Sequence, residues 1–268
     1  MYTAFASVYD RLMADVDYEG WADFYMAMMN RYAIVHGKVC ECACGTGTLT
    51  ILLSKRGYQM TGVDISADML FEASQKARKN GVLIPFVKQN MCALHLHRQM
   101  DAVLCTNDGI NYLSSPEELL AFFQAAFKSL RPGGSLIFDL STPYKLQHTL
   151  GNNFWGQDAE DISYLWQNHF SKTKHYVDLD LSIFIKQPNN LYMRMNEHQR
   201  QYAHSSSLLL DLLSQAGYTD ISLYGDRKFN KPDAKEKRWH IAALKPRHMQ
   251  MELPLTVSED LPMQSVTE

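Results

Sequence analysis

Between Val39 and Leu49 the chain reads VCECACGTGTL, which sets three of its five cysteines on alternate positions directly ahead of a Gly-x-Gly. Thiols at Cys40, Cys42 and Cys44 could hold a metal, carry redox chemistry or pack as small apolar groups. Alternate residues of a strand point to one face, whereas tetrahedral zinc takes cysteines with roughly two to four residues between them in a loop. No metal is expected; Cys40 and Cys42 should pack under a helix, and Cys44 should open a turn. The glycines carry more chemistry. Placed between a first strand and a first helix, they let the backbone approach a ligand and leave helix-start amides free for a polar or negative group. A dinucleotide fingerprint would want a further glycine where Thr50 stands. The spacing fits better an acid at Glu41, small residues at Ala43, Gly45 and Gly47, and a second acid, Asp64, placed to accept hydrogen bonds from both hydroxyls of a ribose.

The elements that must position these residues are legible in the periodicity. Trp21, Phe24, Tyr25, Met28, Met29 and Tyr32 follow helical spacing over 18–33. Strands are expected at 38–42, 58–63, 84–88, 102–106 and 135–140, and helices at 48–56 and 66–79. A further helix opens at Ser115 with Pro116 and two acids behind it, a start that satisfies free amides and complements the helix dipole. Strand and helix in alternation imply a doubly wound, mostly parallel sheet covered on both faces. From about residue 145 the rhythm changes. Val177, Leu179, Leu181, Ile183 and Ile185 alternate with mostly polar neighbours, Pro188 with Asn189 and Asn190 makes a turn, and the alternation resumes, which reads as an inserted antiparallel hairpin or sheet with one buried face. A helix at 205–215 and strands at 219–224 and 239–244 return to the first pattern. The division expected is an N-terminal helical cap over 1–36, a core of 37–145 and 201–246, a β insertion over 146–200, and a loosely held tail over 247–268.

These motifs, in this order, resemble the class I S-adenosylmethionine-dependent methyltransferases. The pieces are ECACGTG from Glu41, VDIS from Val63, QNM from Gln89, CTNDGINYL from Cys105 and LRPGGSLIF from Leu130. The FASVYD segment from Phe5, the Asn111–Tyr112 pair and FDLSTP from Phe138 look most like a bacterial, YqeM-like subgroup. The resemblance implies a seven-stranded Rossmann-like sheet and S-adenosylmethionine as cofactor, with S-adenosylhomocysteine as product. It implies that Gly45 and its neighbours lie against the methionine moiety, that Asp64 holds the ribose, that Ile65 packs on adenine and that Asn90 and Met91 meet the adenine edge. Tyr9, Glu41, Ala43, Gly47, Met69 and Asn107 complete the expected cofactor set. Ala43 stands where the family has a glycine, which its methyl group tolerates if φ is negative. Asn90 stands where an acid is commoner, and its carboxamide oxygen can still accept from the adenine amino group.

Methyl transfer from a sulfonium needs no enzyme nucleophile, only an acceptor held in line at near-attack distance. A hydroxyl acceptor would call for a general base. Asp108, after the fourth strand, and His198, on the insertion, are the candidates; His198 shares a strand face with Arg194, Asn196 and Arg200, which can equally be solvent surface. Tyr144 and Arg200 are candidate substrate contacts. The insertion, with Trp155, Tyr164, Trp166, His169 and Tyr176, should cover the cofactor pocket and suits a small organic acceptor methylated at N or O. RNA base methylation, a non-catalytic cofactor-binding module and an NAD-dependent oxidoreductase are the other readings. The net charge of −3 gives no general electrostatic pull toward nucleic acid, and the six basic residues over 227–238 read as a solvated hairpin. No apolar run reaches the roughly 20 residues that span a bilayer. The odd cysteine number and the lack of a basic-then-apolar start lead to the expectation of a cytoplasmic protein with reduced thiols, as monomer or homodimer.

Overall fold

The computed structural model describes residues 3–247. Apart from Arg247, the expected tail lies outside the described residues. Two helices come first, α1 (Thr3–Leu12) and α2 (Tyr18–Arg31), the latter capped by Asp17, whose carboxylate accepts from the Gly20 amide. The alternating part then runs β1 (Lys38–Cys42), α3 (Thr48–Lys55), β2 (Gln59–Asp64), α4 (Ala67–Lys79), β3 (Phe86–Lys88), β4 (Met100–Cys105), α5 (Pro116–Ser129) and β5 (Leu130–Ser141). After an insertion of four strands, β6 (Phe154–Gln157), β7 (Ile162–Ser171), β8 (Tyr176–Lys186) and β9 (Tyr192–Tyr202), it closes with α6 (Ser206–Gln215), β10 (Thr219–Tyr224) and β11 (Arg238–Leu244). The seven strands pair in the order β10-β11-β5-β4-β1-β2-β3, with only β11 antiparallel to its neighbours. Ser66 and Ser115 cap α4 and α5 through the amides of Met69 and Glu118, as their positions predict.

The period of two along β1 decides the packing. Cys40 and Cys42 fall on the face covered by α5 and α6, among Phe122, Phe138 and Leu213, and are fully buried. Val39 falls on the other face with Tyr25, Met28, Leu49 and Leu53 of α2 and α3. The cysteines are therefore core groups, and each large apolar side chain buried beside them contributes about 1.5–3 kcal/mol. One strand starts earlier than its residues suggest: β5 begins at Leu130, and its pairing with β4 jumps from Met100–Leu130 to Ala102–Ser135. The Arg131-Pro-Gly-Gly stretch is thus a bulge within the strand, turned by Gly133 at φ +77°.

The insertion is a four-stranded antiparallel sheet of β6 to β9, in sequential order. Alternation announces β8 and β9. It is weaker in β7, where polar Asn168 occupies a buried position. Ile162 and Ile183 of this sheet pack against Phe5 and Val8 of α1 and Met69 of α4. A π-helical turn at Lys145–Leu150 packs Leu146 on Phe170, Val177 and Leu179. The second sheet is thereby pinned over the carboxyl edge of the first.

Candidate active site

At β1 the chain order reverses, with β2 and β3 on one side and β4 and β5 on the other. Ligands of open α/β sheets bind in the crevice such a reversal leaves at the strands' carboxyl ends. A cavity of about 950 Å³ opens there, lined by the glycine turn, α1, the loops after β2, β3 and β4, and the inserted sheet.

Ala43, Gly45 and Gly47 all have positive φ, at +52°, +54° and +71°. Only one of the glycines faces the cavity. A Cβ on Gly45 would meet nothing within 4 Å, so its backbone is bare toward the opening. Gly47 does not line the cavity; a Cβ there would sit 3.0 Å from Ala73 and the Phe86 ring, so this glycine serves the packing of α3 onto α4 and β3. The condition set for Ala43 is not met: its φ lies in the left-handed region, which costs an L-residue about 1–2 kcal/mol. Beneath the turn, Glu41 is buried and accepts from the Thr106 hydroxyl at 2.6 Å and from the Thr50 hydroxyl. Burial pushes its carboxyl up to about 7 despite those bonds.

Asp64 lines the cavity at the end of β2. Its Oδ2 accepts from the Gly45 amide and its Oδ1 from the Ser66 amide, each at 2.8 Å. Burial raises its pKa. A carboxylate offers about four acceptor sites, so two backbone amides fix its orientation and leave capacity for two ligand hydroxyls. The bare Gly45 backbone and this half-used carboxylate fit a nucleoside joined to a polar chain. Ile65, 64% exposed, and Met69 line the same end, with Asn90 and Met91. The Asn90 oxygen intended for adenine already accepts from the Cys92 amide at 2.9 Å, because Asn90 caps the short turn that follows β3. Tyr9 of α1 also lines the cavity; burial, with the Asp108, Asp10 and Asp64 carboxylates adding, raises its phenol to about 12. Its neighbour Asp10 accepts from the Thr46 hydroxyl at 2.6 Å and pairs with Lys76, tying α1 to the glycine turn and to α4.

After β4, Asn107 and Asp108 both line the cavity and both have positive φ, +53° and +67°. Their amides donate to the buried Asp139 carboxylate at 2.7 and 3.2 Å, and the Tyr25 hydroxyl donates to it at 2.6 Å. Arg238, at the start of β11, completes the cluster. Its Nη1 and Nη2 donate to the two oxygens of Asp108 at 2.7 and 3.1 Å, and Nη1 also pairs with Asp139. The guanidinium lies 4.9 Å from the Trp21 ring. Burial would raise the Asp108 pKa, but Arg238, Lys145 and the Ser141 hydroxyl outweigh it and hold the carboxyl below its usual range. A carboxylate gripped in this way is a poor proton acceptor, so Asp108 lies at the site but is not suited to be its base. The basic run is not wholly solvated either, since Arg227, Lys237 and Arg238 line the cavity.

The inserted sheet presents Tyr164, Trp166, Leu179, Leu181, Gln199 and Gln201 to the cavity. The cross-strand register puts Gln199 opposite Leu179 and Gln201 opposite Val177, whereas His198 pairs with Asp180 and Arg200 with Asp178 on the reverse face. His198 is 58% exposed, with Nδ1 2.6 Å from Asp180; Arg200 is ion-paired to Asp178 at 2.6 Å and covers the Tyr176 ring. Neither reaches the cavity, nor does Tyr144, whose ring lies against His148, although its neighbour Lys145 does. Asp139 lies in the FDLSTP motif and Arg238 in the basic run, but nothing local in the sequence joins them or Lys145 to the site: Arg238 and Asp108 are 130 positions apart, and only the sheet brings them together.

A family model described as a methyltransferase domain matches residues 39–134. The chain is 31% identical over 245 residues to a putative methyltransferase of Geobacillus sp. strain WCH70, covering 91% of this chain and 99% of that one. It is 30% identical over 246 residues to the putative methyltransferase YqeM of Bacillus subtilis, covering 91% and 97%. The crystal structure of an S-adenosylmethionine-dependent methyltransferase from Clostridium acetobutylicum superimposes with a TM-score of 0.82 at 29% identity, over 91% of this chain and 99% of that one. The fold and crevice are thus those of a Rossmann-like methyltransferase. The chain belongs to the S-adenosylmethionine-dependent methyltransferase family, within its YqeM-like group.

Proposed function

We propose that the protein transfers a methyl group from S-adenosylmethionine to a nitrogen or oxygen of a small-molecule acceptor by direct in-line displacement. The observation that carries this reading is the continuous cavity of about 950 Å³, which joins the Gly45 and Asp64 end to the Asp108, Lys145 and Trp166 end under the inserted sheet. Asp64 would take the ribose hydroxyls, the Gly45 backbone the methionine chain, and Ile65, Met69, Asn90 and Met91 the base. Tyr9 and the Asp10 tie hold α1 over that end. When bound, the cofactor supplies an activated methyl whose bond to sulfur breaks as the acceptor lone pair attacks, the electron pair remaining on a neutral thioether.

The chain's own part is positioning and exclusion of water. Tyr164, Trp166, Leu179 and Leu181 roof the acceptor end, and the Arg238–Asp139 cluster fixes the otherwise unfavourable backbone of Asn107 and Asp108. Asp108, held below the usual carboxylate range, favours an acceptor whose lone pair is already free, such as a neutral amine, over a hydroxyl that must first be deprotonated. Methyl transfer from labelled S-adenosylmethionine into metabolite fractions tests the reading. Cofactor binding without transfer to any fraction, or transfer only into RNA, would replace it.

A further inference from the structure

Lys145 is an unusual lysine. Its side chain is 21% exposed, it lines the cavity, and its nearest carboxylate oxygen, Asp108 Oδ2, is 3.8 Å away, beyond hydrogen-bond reach. That carboxylate is already engaged by both Arg238 nitrogens and by the Ser141 hydroxyl at 2.9 Å. The ammonium is thus partly withdrawn from bulk water and ion-paired only loosely to Asp108, with no hydrogen-bond acceptor among the described residues, so its donors are left for a ligand.

A second group shares the condition. Gln201 of β9 is only 6% exposed and lines the cavity, and among the described residues its carboxamide has no hydrogen-bond partner. The fold brings the two to one end: Leu146, next to Lys145, packs on Val177, and Val177 is the cross-strand partner of Gln201. Around them stand Leu150, Trp166, Leu179 and Leu181, and Lys237, also without a side-chain partner among the described residues, lines the same cavity. One half-buried ammonium and one buried amide, set in an apolar wall, match a small molecule with an acidic group on an apolar body.

We propose that the methyl acceptor is a small organic anion whose acidic group, carboxylate or phosphate, is bound by Lys145 and Gln201 while its body packs on Trp166, Leu179 and Leu181. This rests on the methyltransferase reading above. Lys145 is a specificity-determining group here, and the anion it holds is not the atom methylated.

The test uses the full chain loaded with S-adenosylhomocysteine, whose affinity is measured first by calorimetry. The loaded protein is then titrated with amino, hydroxy and aromatic carboxylic acids, with their carboxamides, and with phosphate monoesters paired to the parent alcohols. The expected result is that at least one anion binds and that its neutral counterpart binds about tenfold more weakly or worse, as loss of a charged hydrogen-bond partner implies. Lys145→Met should abolish that preference and Lys145→Arg should retain part of it, both with S-adenosylhomocysteine affinity unchanged. Binding of carboxylates or of phosphate monoesters identifies which acid the site takes. The proposal is overturned by equal binding of anions and neutral counterparts, by a Lys145→Met protein that keeps the preference, or by cofactor-loaded protein that binds no anion. Absence of S-adenosylhomocysteine binding at the first step would instead remove the methyltransferase reading together with it. Gln201→Leu provides an independent check, expected to raise KM for the anion with little effect on kcat.

Discussion

The guanidinium of Arg238 holds both oxygens of Asp108, at 2.7 and 3.1 Å, and so joins the first residue of β11 to the loop that follows β4. Because Asp139 lies under the same guanidinium, one cation answers two buried carboxylates, and Lys145 stands 3.8 Å from the pair.

Removing that cation should be costly. Arg238→Met leaves Asp108 and Asp139 without their main counter-charge, and breaking a buried pair from one side costs about 3–5 kcal/mol. Urea unfolding is expected to show a loss of that order. Asp108→Asn should cost less in stability and should leave the pH dependence of kcat unchanged. Disappearance of an acid limb from the profile, or a kcat loss of about a hundredfold or more, would restore Asp108 as the base.

The same pair contributes to the acid sensitivity of the fold. The Asp108 pKa is lowered from its ordinary value of 3.8, so the folded state binds fewer protons than the unfolded chain. Its stabilisation is then complete above 3.8 and is lost as the pH falls through the lower folded value. Acid unfolding followed by circular dichroism should begin at higher pH in Asp108→Asn than in the native chain.

Glu41 works in the opposite sense. With a folded pKa of about 7 against an ordinary 4.5, the folded state keeps a proton that the unfolded chain has lost. Stability should therefore be greatest below 4.5 as far as this group is concerned and should fall by about 3 kcal/mol as the pH rises to about 7. Glu41→Gln keeps one neutral oxygen to accept from one of the two threonine hydroxyls while its amide nitrogen donates to the other, and its stability between pH 5 and pH 8 should be flatter, by roughly that amount.

Asp64→Ala is expected to weaken S-adenosylhomocysteine binding by about tenfold or more, since ribose hydroxyls would lose a buried acceptor. The Gly45 and Ser66 amides lose theirs as well, so stability should fall by about 1–3 kcal/mol. Unchanged affinity by calorimetry would refute the ribose assignment, whatever happens to stability.

Ala43→Gly should stabilise the protein. Its φ of +52° costs an alanine and not a glycine, and a gain of about 0.5–1 kcal/mol remains after the added freedom of the unfolded chain. Thermal unfolding checks it, and a loss on substitution would mean that the packing of the Ala43 methyl against the core outweighs the strain.

Much of the site is legible in the sequence, for a local reason. A glycine turn after a strand, an acid ending the next strand and serine caps depend on residues a few positions apart, and their spacing reports them directly. The inserted sheet shows the limit of such patterns. The period of two in β8 separates Leu179 and Leu181 from Asp178 and Asp180, but the register with β9 decides that Gln199 and Gln201 join the cavity while His198 and Arg200 face out.

The sequence by itself determined the parallel sheet, the place of its crevice, the burial of Cys40 and Cys42 and the position of Asp64, because each follows from periodicity or from a short motif. Only the tertiary structure decided the sign of φ at Ala43, the engagement of the Asn90 oxygen and the pairing of Asp108 with a residue 130 positions away. Backbone dihedrals at a crowded turn and charges met across a sheet are properties of the packed chain, since the energies that fix them arise between segments distant in sequence.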